Sequence, residues 1–193
     1  MGAVYLGASA HLTGQSVRCF ILSIVNQAEP PLIIALDFPT PDDALAFVQR
    51  FDHPEELFCK VGMELYYQGG PAVVRQLQAL GVRVFLDLKL HDIPNTVERA
   101  ARIIGGLGVA LTTVHAQGGR KMMAAAVRGV RAGAADAGVQ PAKVLAITQL
   151  TSTSPAALRM NSKSPSRYPT PSTTSHNLRQ PVVWMVSCRA RRR

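Results

Sequence analysis

Between Val84 and Val97 the chain reads Val-Phe-Leu-Asp-Leu-Lys-Leu-His-Asp-Ile-Pro-Asn-Thr-Val, and this stretch limits the possible folds more than any other. It opens as a short run of β-branched and aromatic residues, which suits a strand buried on both faces. Charges then enter. Asp87 and Lys89 are expected to share one face of an extended strand, and Asp92 follows where the strand gives way to a loop. Pro94 disfavours a helical Ile93, so the next helix is predicted from Val97, with Asn95 or Thr96 as its N-cap. A lysine held between two carboxylates stays protonated, because opposite charges favour its charged form. Such a lysine is able to deliver a proton to a developing carbanion. The spacing alone is weak, and by itself it more often describes an ion-pair cluster that caps a strand.

The flanking chain repeats the pattern. Leu32 to Leu36 reads as a buried strand with Asp37 at its end, and Pro41-Asp42-Asp43 opens a helix. Leu57 to Gly62 is a second strand carrying Lys60, followed by a helix from Pro71 to Leu80 that Gly81 closes. After Val84 to Leu90, a helix is predicted over Val97 to Ile104. Ala110 to Val114 is then a strand with His115 at its tip, and an Ala-rich helix runs from Lys121 to about Ala135. Val144 to Leu150 is a fifth strand ending at Thr151. Strands alternating with helices at this spacing imply parallel strands and crossover helices. The predicted class is α/β, a (β/α)8 TIM-type barrel that is incomplete here, with about five βα units. In such barrels the active site lies at the C-terminal ends of the strands. Asp37, Lys60, Asp87, Lys89, His115 and Thr151 all fall at those ends.

The run Asp87-Leu88-Lys89-Leu90-His91-Asp92-Ile93-Pro94-Asn95-Thr96 closely resembles the signature of orotidine 5′-phosphate decarboxylases, which make UMP in pyrimidine synthesis. Supporting matches are Ile34 to Asp37, Lys60 to Leu65, Val114-His115-Ala116 with Gly118-Gly119, and Gln149 to Ser152. The resemblance implies a homodimer that uses neither metal nor cofactor and takes orotidine 5′-phosphate as its small-molecule substrate. It makes Lys89 the proton donor, Asp87 the group that crowds the substrate carboxylate, and Asp92 a residue that enters the partner subunit's site. It gives Lys60 a place in the charged network and at the ribose, and Asp37, Thr96 and Thr151 contacts to the substrate. His91 and His115 read as structural or supporting residues. The rival within the superfamily is a magnesium-dependent sugar-phosphate decarboxylase or lyase, which shares the Asp-x-Lys-x-x-Asp pattern.

Charge divides the chain in two. The net charge is +9, yet residues 151–193 hold eight Lys or Arg and no Asp or Glu, leaving residues 1–150 with 13 basic and 12 acidic groups. The reading is therefore an N-terminal extension over 1–29, a barrel domain over 30–159, and an aberrant basic tail over 160–193, the two ends being expected to be disordered. A nucleic-acid arm would be a rival role for the tail, but it lacks interleaved aromatics, and no nucleic-acid partner is expected. Phe20 to Val25 is too short to span a membrane, and the three cysteines form no metal or redox motif, so a reducing cytoplasm is expected.

The genetic code supplies another reading of the tail. Reading each codon one base earlier, Met160-Asn161 forces Glu, and Ser162 to Pro165 permits Leu-Lys-Ile-Pro; Trp184 to Val186 forces Asp-Gly and its neighbours permit Leu-Asp-Gly-Val-Val. The decarboxylase family has similar segments at this separation. A shifted frame beginning near Ala157 to Arg159 is therefore expected, and with it a chain that forms no measurable UMP as written.

Overall fold

A computed structural model of the chain describes residues 5–7, 32–148, 150, 152 and 184–189. Its strands are β1 (Tyr5–Gly7), β2 (Leu32–Asp37), β3 (Phe58–Val61), β4 (Arg83–Leu90), β5 (Leu111–His115), β6 (Lys143–Ile147) and β7 (Trp184–Arg189). Its helices are α1 (Pro41–Val48), α2 (Met63–Ala79), α3 (Pro94–Gly106) and α4 (Gly119–Ala137). The strands form one sheet in the order β1-β7-β2-β3-β4-β5-β6, and every pairing is parallel. From β2 to β6, neighbours in sequence are neighbours in the sheet and a helix links each pair. This is the expected run of barrel-type βα units. No helix among the described residues is long and apolar enough to cross a membrane.

Several boundaries differ from the sequence reading. The helix expected from Pro71 begins at Met63 and is broken at Gly70, whose φ of 57° and ψ of −155° are non-helical. Pro71 lacks an N–H and cannot continue the first segment's hydrogen bonding, so the chain restarts its helix there. α3 begins at Pro94, three residues before the expected Val97, with Ile93 rather than Asn95 or Thr96 at its N-cap and no side-chain cap bond. Proline suits the first helical position because the N–H it lacks would be unpaired there anyway. β6 ends at Ile147, short of the expected Leu150. Two strands also lie in stretches read as outside the barrel. β7 runs beside β2 from Leu32↔Trp184 to Asp37↔Arg189, and β1 lies beyond it.

The faces of the sheet have different tasks. Leu32, Ile34, Leu36, Cys59, Val61, Val84 and Leu86 face the helices and share a core with Ala44, Val48, Val73, Val74, Leu77, Val97 and Ile104. Burying each large aliphatic side chain stabilises the fold by about 1.5–3 kcal/mol. On the other face, Ile33, Phe58 and Phe85 form a separate small cluster with Ala110 and Leu111. α3 and α4 pack closely over the sheet. A Cβ on Gly105 would collide with the Val130 carbonyl oxygen, and one on Gly133 with that of Arg102. Exposed pairs Arg128–Glu98 (2.6 Å) and Arg102–Asp136 (2.7 Å) bridge the same helices, and exposed pairs of this kind contribute little.

Candidate active site

The small apolar cluster sets the position of the site. Side chains alternate along a strand, so residues two apart share a face. Ile33 is followed on its face by Ala35 and Asp37, Phe58 by Lys60, Phe85 by Asp87, and Leu111 by Thr113 and His115. The four strands thus present an apolar floor towards their N-terminal ends and a polar rim towards their C-terminal ends. Cross-strand register aligns them, with Ala35 opposite Lys60 and Lys60 opposite Phe85.

At the rim the charges pair. Lys60 Nζ lies 3.2 Å from Asp37 Oδ1, and Lys89 Nζ lies 2.8 Å from Asp87 Oδ2. Lys60 and Asp87 are 7% and 8% exposed, so both would be costly to bury unpaired. Gly62 leaves room for the lysine: a Cβ there would stand 3.2 Å from Lys60 Nζ.

The expectation that Asp87 and Lys89 sit on a regular extended strand is corrected at Lys89. Its φ is +51°, the one left-handed non-glycine among the described residues. Pairing between β4 and β5 steps from Leu86↔Thr112 to Leu90↔Val114, which leaves extra residues of β4 between those positions. This bulge carries the acid and the lysine, a device typical of strand ends near active sites. Thr113 fills the gap. Its hydroxyl donates to Asp87 Oδ1 at 2.8 Å and accepts the Lys89 backbone N–H at 2.9 Å.

Two cavities meet at Lys89. The smaller, about 250 Å³, is lined by Leu36, Asp37, Lys60, Gly62, Asp87 and Lys89 among others. The larger, about 650 Å³, includes Lys89, His91, Asp92, Thr96, His115 and Leu150 in its wall. Asp92 is exposed, and its Oδ1 accepts the Ile93 N–H at 2.6 Å. The His91 and His115 rings lie 5.3 Å apart. Burial, reinforced by His91 and then by the Lys89 ammonium, holds His115 below the ordinary imidazole value. The structure therefore gathers Asp37, Lys60, Asp87 and Lys89 into one cluster, with Asp92 and Thr96 in the adjoining cavity; Thr151 lies outside the described residues. Sequence reading missed Thr113. The signal was present in its period-two spacing from His115, on the strand next to Asp87.

Residues 30–180 match the orotidine 5′-phosphate decarboxylase / HUMPS family. The chain belongs to that family. It is 60% identical over 131 residues to the orotidine 5′-phosphate decarboxylase of Lactiplantibacillus plantarum, a match that takes in 68% of this chain and 55% of the relative. It is 55% identical over 129 residues to that of Latilactobacillus sakei, covering 67% of this chain and 54% of the relative. The crystal structure of orotidine 5′-phosphate decarboxylase from Lactobacillus acidophilus superposes with a TM-score of 0.65 at 42% identity, over 72% of this chain and 61% of that one. The chain thus spans about half the length of the curated relatives it matches. The parallel α/β sheet of β2 to β6 is the shared TIM-barrel portion of this decarboxylase family.

Proposed function

We propose that this chain carries the charged face of an orotidine 5′-phosphate decarboxylase active site, acting in the pyrimidine pathway that yields UMP. The observation that supports this most is the Asp37–Lys60 and Asp87–Lys89 array around one small cavity at the strand C-termini. The substrate pyrimidine sits with its C6 carboxylate against Asp87, where like charges raise the ground-state energy. The C6–carboxylate bond breaks and CO2 leaves, and the electron pair remains at C6. The Lys89 ammonium stabilises that growing charge and then transfers a proton to it. Rate comes from stronger interaction with the developing carbanion than with the bound substrate. Lys60 and Asp37 hold the ribose side, and Thr96 and Thr151 make further substrate contacts.

The working unit in this reading is a cytoplasmic homodimer in which Asp92, exposed at the cavity rim, completes the partner subunit's site. The substrate phosphate is gripped in this reading by the remainder of the barrel, which a shifted frame beginning near Ala157 to Arg159 would encode. UMP formation from orotidine 5′-phosphate, measured for this chain beside a frame-corrected version and with EDTA present, tests the reading. Chelator-insensitive turnover by the corrected chain is expected. No turnover from a folded, corrected chain would overturn it. Mixing inactive Asp92→Asn and Lys89→Ala subunits of that version should restore part of the activity, since one hybrid site regains both groups; no recovery after confirmed subunit exchange would remove the shared site.

A further inference from the structure

We infer that Thr113 is a positioning residue that sets both ends of the Asp87–Lys89 pair. It is fully buried at 0% exposure, and its single hydroxyl makes both contacts: it donates to Asp87 Oδ1 and accepts from the Lys89 backbone. A threonine hydroxyl has one proton to donate, and directing it at an ionised carboxylate makes the stronger kind of hydrogen bond. With Oδ1 held in this way, Oδ2 is the oxygen left to meet Lys89 Nζ at 2.8 Å. The same hydroxyl satisfies the Lys89 amide where the β4–β5 register shifts, and so supports the left-handed backbone at that residue. A side chain at φ > 0 persists only when its surroundings hold it there. Asp87, Thr113 and Lys89 therefore close a ring in which one oxygen orients an acid and aims a lysine. The reaction this serves rests on the decarboxylase reading above; the geometry does not.

The test uses the 193-residue chain and needs no turnover, so its failure and the failure of the decarboxylase reading are separate results. Thr113→Val keeps the shape and removes the hydroxyl, and Thr113→Ser restores it. Amide hydrogen exchange at Lys89 should accelerate about tenfold in Thr113→Val, with Val84 to Leu86 unchanged, and return to the original rate in Thr113→Ser. Competitive acetylation of the Lys89 amine, read by mass spectrometry against exposed Lys121, should rise in Thr113→Val and fall back in Thr113→Ser. If Thr113→Val loses its fold, Thr113→Ala against Thr113→Ser carries the same comparison. Unchanged Lys89 exchange and labelling without the hydroxyl would overturn the assignment, as would a serine variant that behaves like the variant lacking the hydroxyl.

Discussion

Lys60 Nζ rests 3.2 Å from Asp37 Oδ1, with 9% of the lysine side chain and 38% of the aspartate side chain accessible. The pair joins β3 to β2 at their C-terminal ends, so a barrel-interior lysine takes its countercharge from the next strand. Removing only the acid leaves an ammonium on a face whose floor is Ile33, Phe58 and Phe85. Asp37→Ala is therefore expected to destabilise the chain by about 1–3 kcal/mol. Lys60→Met, which removes the charge and keeps the stem, should be markedly less damaging. Urea midpoints of the two variants make the comparison; equal losses would mean that the charge pair is not what stabilises this corner.

At Lys89 the backbone and the side chain have separable roles. Lys89→Ala removes the ammonium and keeps the left-handed strain, whereas Lys89→Gly removes both. A non-glycine residue in the left-handed region costs about 1–2 kcal/mol, so Lys89→Gly should be the more stable variant by about 1 kcal/mol. Both should lack decarboxylase activity in a frame-corrected chain. Denaturation curves and UMP formation separate the effects; turnover near the unsubstituted level in either variant would remove Lys89 from the proton-donor role.

The gathering of Asp37, Lys60, Asp87 and Lys89 at one rim was legible from the sequence because each lies at the end of a short apolar run, and parallel neighbouring strands bring those ends together. Local hydrogen-bonding detail was harder to read. Nothing in Asp87-Leu88-Lys89 announces a left-handed lysine, because the bulge depends on register against β5 and that register is a property of two strands. Thr113 was missed for the same reason: its importance lies in what stands opposite. Ile93 displaced Asn95 and Thr96 as the helix cap because Pro94 itself suits the first helical position. Met63 to Gly69 fell outside the helix expected from Pro71, while the structure uses Gly70-Pro71 as a kink between two helical segments.

His115 gives the chain a pH dependence with a definite sign. Burial and the neighbouring His91 and Lys89 lower its pKa in the folded state, so the unfolded chain binds a proton more readily. Stability from this group is complete above the unfolded value of about 6.5. It declines as pH falls below that value and levels off beneath the folded pKa. His115→Gln should flatten the thermal midpoint against pH on the acid side of neutrality. An unchanged slope in the variant would assign the dependence to other groups.

The close packing of α3 on α4 yields opposite predictions for adjacent residues. Gly105 and Gly106 both lie in α3, but a Cβ on Gly105 would run into the Val130 carbonyl of α4, while one on Gly106 would meet Gly133 O at 3.6 Å and Ala137 Cβ at 4.0 Å. Val130 O is backbone, so Gly105→Ala forces α4 to move as a unit. Overpacking of this kind costs about 1–3 kcal/mol, more than the 0.5–1 kcal/mol or so that alanine gains over glycine in a helix. Gly106→Ala meets ordinary contact distances and should raise stability by about 0.5 kcal/mol. Both residues stand at the end of the helix, away from the charged rim, so neither change should alter Lys89 labelling. Thermal melts of the two variants decide the matter. A stabilised Gly105→Ala would mean that α3 and α4 do not approach as closely as these glycines imply.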